Sequence, residues 1–178
     1  MKSILFIFLF LISIFEVQAN RLILVTKVLS EEVVQRNFDG EEDPRLKPFK
    51  FEHSNACGIQ FVKLYVESVL DGKLDEQVLD AHVIIGEWCG QPFKPFQEYV
   101  VKLFDKEDSI VSIHHNQLDG WEAFNIYSIS KLSNNERALT KDWHIKHFDH
   151  LTPSVISSVD GKAVIKINDL KTWYTANK

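Results

Sequence analysis

Three histidines, His144, His147 and His150, recur at intervals of three, with Asp142 and Asp149 beside them. Imidazole nitrogens and carboxylate oxygens together make a zinc-type ligand set. On an α-helix, however, a spacing of three and then three drifts around the surface, so the three rings would not converge on one ion. Neither HExxH nor a cysteine cluster accompanies them. The plain reading is a polar surface segment with its histidines in solvent.

Acidic turns are the second candidate. Asp71, Asp75 and Glu76 follow one apolar run, and Asp105, Glu107 and Asp108 follow another. Their oxygens suit calcium if the two loops meet at one end of the fold. A third acidic stretch, Asp39-Gly40-Glu41-Glu42-Asp43-Pro44, has the composition of a solvated turn. Solvated turns are also the plain reading of the other two.

Motifs for catalysis are sparse. His114 and His115 are adjacent on a strand-like run, so they would point to opposite faces. A GxSxG elbow is absent from the sequence. Two of the many carboxylates could flank a glycosidic bond, since their separation depends only on the fold. The expectation is a protein that is not an enzyme, with a glycan-acting hydrolase or a carbohydrate-binding module as the alternative. No resident cofactor is implied; calcium is the ion that the acidic turns would suit.

Cys57 and Cys89 are the only cysteines in 178 residues. The chain begins with Lys2, an apolar run from Ile4 to Phe15, and small residues at Val17-Gln18-Ala19. That pattern is a secretory signal peptide over residues 1–19, leaving one domain over 20–178. In an oxidising compartment two cysteines make one disulfide. Closing the loop between them is worth about 3–4 kcal/mol from chain entropy. The formal net charge is −5, from 20 Lys and Arg against 25 Asp and Glu. An acidic chain without a basic run excludes a broad electrostatic grip on nucleic acid or on anionic membranes. No later stretch is apolar enough to span a bilayer, so the expectation is a secreted, extracellular protein without a transmembrane segment.

The elements that would position these residues read as strands. Arg21–Leu29 is aliphatic and β-branched, whereas Glu31–Gln35 is ambiguous. Phe49-Lys50-Phe51-Glu52 alternates, as a half-buried strand does. In Ile59–Val66 both faces are mostly apolar, with Gln60, Val62, Leu64 and Val66 on one of them. Val83–Ile85, Tyr99–Phe104, Ile110–His114 and Ala123–Ile129 follow. Leu139–Phe148 reads as a short helix or an irregular stretch. Asp160-Gly161 reads as a tight turn between Val155–Val159 and Ala163–Ile167. Short strands, frequent turns and little helical periodicity predict an all-β fold: an antiparallel β-sandwich of about eight strands with one disulfide. Trp88, Trp121, Trp143 and Trp173 are expected to be core or rim residues.

The order of short motifs resembles the N-terminal module of Notch ligands of the Delta and Jagged type. Cys57-Gly58-Ile59-Gln60-Phe61 looks like that family's Cys-x-x-x-Phe entry to a strand. His82-Val83-Ile84-Ile85-Gly86 is similar to its next turn, and Pro92-Phe93-Lys94-Pro95-Phe96 to its Pro-Phe segment. Leu139-Thr140-Lys141-Asp142-Trp143 looks like its leucine and acid-Trp pair. The resemblance covers residues from Arg21 to Trp143. It departs from the family in having only two cysteines, and no cysteine-rich module after Cys89. It implies a lone sandwich module, like the calcium-dependent phospholipid-binding fold. Such a module takes part in Notch signalling by binding a cell-surface receptor, or touches lipid head groups through end loops. Here the end loops carry Asp71, Asp75, Asp105, Glu107 and Asp108.

Overall fold

A computed structural model describes residues 21–49, 51, 55–105, 121–148, 150–151 and 155–177. The fold is built from strands. β1 (Arg21–Gln35), β2 (Gly58–Asp71), β3 (Val78–Ile85), β4 (Glu98–Asp105) and β5 (Trp121–Ser128) form the main sheet. β6 (Ser130–Lys131), β7 (Arg137–Leu139), β8 (Ile156–Val159) and β9 (Lys162–Lys166) form a smaller one. Two helices, α1 (Asp142–Lys146) and α2 (Ile167–Ala176), accompany the second sheet.

The β-rich expectation holds, and the disulfide is formed, with the Cα atoms of Cys57 and Cys89 5.3 Å apart. The layering is different from two open sheets laid face to face. The main sheet closes on itself as a barrel in the order β1-β2-β3-β5-β4. Its ladders are antiparallel except at the seam, where β3 meets β5 in parallel through Ala81–Trp121 and His82–Glu122. The second sheet runs β6-β7-β9-β8.

Alternation along β1 shows why the barrel needs a second layer. Leu22, Leu24 and Val28 point into the barrel with Val62, Leu64 and Leu103. Ile23 and Val25, on the opposite face, join a cluster with Val100, Leu139, Ile165 and Leu170. That outer cluster is the floor on which the second sheet and α2 sit. Each such aliphatic side chain, removed from water, contributes about 1.5–3 kcal/mol. Without the C-terminal layer the outer faces of β1 and β4 would be bare.

α2 is the element that the sequence reading does not contain. Ile167, Leu170 and Tyr174 recur at helical spacing and are buried, and Asp169 lies in the first turn, where the helix dipole favours it. An ion cluster fastens the layer to the barrel. The Arg137 guanidinium grips the Glu67 carboxylate at 2.5 and 2.6 Å and reaches Glu98 at 3.2 Å, while Lys171 Nζ lies 2.6 Å from Glu67. These hydrogen bonds, Arg137 foremost, hold the Glu67 carboxyl down at about 2.

β1 runs past the end of its pairing with β4 at Lys27, and beyond it Val28–Gln35 pairs with β2 alone. β1, β2 and β3 therefore extend as a tongue beyond the barrel rim. A segment after β1 covers the outer side of this tongue. Pro44 starts a single 3-10 turn, and the Asp43 side chain accepts from Arg45 N–H at 2.9 Å. Leu46 and Phe49 are then buried against Val34 and Ile59. Phe49 and Phe51, expected on a strand, serve as plugs here; Lys50 and Glu52 lie outside the described residues. Ile110–His114 and residues 1–20 lie outside them too.

Candidate docking surface at the disulfide end of the barrel

The tongue's inner side carries the loop 86–97, which descends from the end of β3 to the start of β4. Three attachments hold it. At the top, Cys89 is bonded to Cys57. Cys57 is itself fixed in the ladder, its N–H donating to Ile85 O at 2.9 Å and its carbonyl accepting from Arg36 N–H at 2.8 Å. Gly58 next to it has φ 149°, and a Cβ there would lie 2.1 Å from Val34 O. The approach of the two strands thus requires glycine.

The middle attachment is Gln60. Its Oε1 accepts from Phe93 N–H at 3.0 Å, and its Nε2 donates to Phe93 O at 2.9 Å and to Glu31 Oε2 at 2.9 Å. One amide side chain imitates a strand's pairing with Phe93. The Phe93 ring is fully buried and meets Tyr99 edge-on at 5.2 Å, corking the barrel core. At the bottom, Phe96 N–H donates to Val28 O at 3.1 Å and Val28 N–H to Gln97 O at 3.0 Å.

What this frame presents to solvent is aromatic. Trp88, one residue before the disulfide, is 92 % exposed, and Phe96, beside Val28, is 73 % exposed. Phe38 is 63 % exposed, with the Arg36 guanidinium 4.8 Å over its ring. Phe38 lies two residues from Arg36, whose N–H is bonded to Cys57, so Trp88 and Phe38 flank the disulfide. Leu29 and Phe96 flank the Val28 contact. Single exposed apolar residues are ordinary; here they fall at the two ends of one loop frame, Trp88 and Phe38 at the disulfide and Leu29 and Phe96 at the Val28 contact. Trp88 departs from the expected core or rim placement, whereas Trp143, half exposed, packs at the rim against His144 and Tyr127.

The described members of the expected ligand sets lie away from this end. Asp71 and Asp105 do lie at one end of the barrel, opposite the tongue, since both strand ends flank the first residues of β1. Asp71 Oδ1 is engaged by Gly72 N–H at 3.0 Å, and Asp75 is exposed. Glu107 and Asp108 lie outside the described residues, as do His114, His115 and Asp149. His144 is buried rather than in solvent, because α1 turns it inward onto Tyr127, ring centroids 5.4 Å apart. Burial, with help from the nearby Lys141 and His147 charges, lowers its imidazole to about 4. His147 faces outward, and His150 Nε2 lies 3.4 Å from Tyr174 Oη. Among the described residues no three His, Cys, Asp or Glu side chains gather closely enough to hold a metal ion.

An open polar cleft of about 620 Å³ lies where the β6–β7 turn faces the start of α2. Its charges are turned on one another: Lys166 pairs with Glu136 at 2.8 Å and Arg137 with Glu98. Among the described residues no helix is long and apolar enough to cross a membrane. Comparison with protein-family models, with curated proteins and with solved structures finds no match to this chain.

The sequence carried one overlooked signal for the loop frame. Gln60 sits among Val62, Leu64 and Val66 on an inward face, and a lone amide on an apolar face requires a polar partner.

Proposed function

We propose that this chain is a secreted, non-enzymatic binding module that docks its disulfide end onto a cell-surface protein. The observation that carries the reading is Trp88, almost wholly exposed yet held by the disulfide beside it. An exposed indole on a pinned loop loses little conformational freedom on binding, and aromatic anchors of this kind dominate interface energetics. The resemblance to the Notch-ligand module supports the same end of the molecule. Cys57, Phe61, Gly86, Pro92 and Phe93 all fall on the tongue or its loop, whereas Asp142-Trp143 falls in α1. The net charge of −5 favours a protein partner over an anionic lipid surface.

The test is capture on an array of receptor ectodomains, run beside liposome flotation. Wild-type protein should bind at least one ectodomain. Trp88→Ala should weaken that binding about 30-fold, the cost of losing an aromatic hot spot worth about 2 kcal/mol. A wild-type protein silent on the array refutes the proposal. Flotation with neutral liposomes and no ectodomain binding would move the partner to lipid.

A further inference from the structure

The loop that carries Trp88 is fastened unevenly. Residues 86–91 are exposed throughout, and a Cβ added at Gly86 or Gly90 would meet nothing within 4 Å. Their hydrogen bonds are weak or local: Cys89 N–H donates to Gly86 O at 3.0 Å, and the Asn55 amide reaches across to the exposed Glu87 carboxylate at 3.5 Å. Cys89 has φ 50°, a conformation that L residues adopt at a cost. From Phe93 onward the loop is held by the Gln60 clamp, the Tyr99 contact and the Val28 bonds. On the other side, Cys57 is locked into the ladder by its own backbone. The sulfur–sulfur bond is therefore the tether of a short exposed span whose two ends are anchored without it.

We infer that the Cys57–Cys89 disulfide is a redox latch on the docking end: a dithiol reductant opens it, releases residues 86–91 with Trp88, and leaves the barrel closed. This inference rests on Trp88 being the docking residue. The reductant's thiolate attacks Cys89 Sγ, whose residue is exposed, while Cys57 is half-buried. The Cys57–Cys89 bond breaks, and Cys57 leaves as a thiolate that takes a proton from water. The reagent's second thiol then displaces Cys89, closing the reagent's own disulfide. Two protein thiols and one oxidised dithiol result. The freed span no longer presents its indole in a fixed place, so the ordering cost falls on binding.

Hydrogen exchange on the full chain, with and without dithiothreitol, reads the release. Exchange of the Cys89 amide, the one in residues 86–91 bonded to a carbonyl, should rise at least tenfold, while the amides of β1, β2 and β4 stay within twofold. Exchange rising throughout the barrel overturns the latch, and so does an unchanged loop. A Cys57→Ser, Cys89→Ser variant, never oxidised, should exchange like the reduced protein; a variant matching the oxidised one overturns it as well. The binding arm uses the ectodomain captured by the oxidised protein, and reduction should weaken capture at least tenfold. Capture lost in Trp88→Ala but undiminished by reduction overturns the latch and leaves the docking surface standing. An oxidised protein that captures nothing removes the docking surface, and the regulation with it, even where exchange shows the loop freed.

Discussion

Replacing Gln60 by leucine isolates the clamp. Leucine keeps the volume and suits the apolar face, but it cannot pair with Phe93. The Phe93 N–H and C=O, now bonded at 3.0 and 2.9 Å, would be left facing an alkyl group in the barrel mouth. A buried polar group without a partner costs about 1–3 kcal/mol, and two are orphaned here. Added apolar burial returns about 1 kcal/mol. The expected loss is therefore about 1–5 kcal/mol of folding stability. In urea, with a slope of about 2 kcal/mol per molar, the midpoint should fall by about 0.5–2.5 M. Lys63→Ala makes the control, since Lys63 is half-exposed and lies 3.7 Å from Asp80; it should shift stability by less than about 0.5 kcal/mol. A Gln60→Leu protein within about 0.5 kcal/mol of wild type would refute the claim that this amide seats the loop.

The other predictions test neighbouring parts of the frame. Phe93→Ala should cost about 3–5 kcal/mol in the same urea assay, as a fully buried ring does, while Phe96→Ala, 73 % exposed, should leave the midpoint in place. Gly58→Ala should cost about 2 kcal/mol or more, because its Cβ would fall 2.1 Å from Val34 O at φ 149°; a thermal melt within a degree of wild type would contradict this. His144 is held near 4, below its usual 6.5, so its contribution is complete above pH 6.5 and is lost as pH falls toward 4. The difference amounts to up to about 3 kcal/mol, and His144→Leu should flatten that part of the stability–pH curve. Glu67 shifts the same way but lower. Its contribution is complete above pH 4.5 and disappears as pH falls through about 2, and Glu67→Gln should cost about 1–2 kcal/mol at pH 7 after allowance for its partial exposure.

How much of this was legible depended on whether the signal was local. β1, β2, β4 and the Asp160-Gly161 hairpin could be read from alternation and turn residues, and the structure has them at those places. The two-faced apolar character of Ile59–Val66 was also read correctly as burial on both sides. Its cause was not. A strand between two sheets and a barrel strand under a second layer have the same pattern, because both bury both faces. Closure rests on two short-reaching contacts, Ala81–Trp121 and His82–Glu122, and no local pattern encodes them. α2 escaped because its apolar face is only Ile167, Leu170 and Tyr174, a stripe too narrow to stand out among polar neighbours. The His144 spacing was legible, but not its burial, which follows from α1 packing on Tyr127 across the chain.

The loop 86–97 divides its aromatic residues by what holds them. Phe93 and Phe96 are three apart, share a segment rich in proline, and carry the same ring, yet one is fully buried and the other mostly exposed. Hydrophobicity cannot sort them, since burial would favour both equally. The sorting is polar. Gln60 captures the backbone of Phe93 and so drives that ring inward, while Val28 captures the backbone of Phe96 at the rim and leaves its ring in solvent. The same logic applies to Trp88, whose position is set by the neighbouring sulfur rather than by a contact of its indole. An end built to present rings, instead of merely failing to bury them, would be anchored through its backbone in this way. Moving the clamp should therefore move the exposed rings even when no aromatic residue is touched.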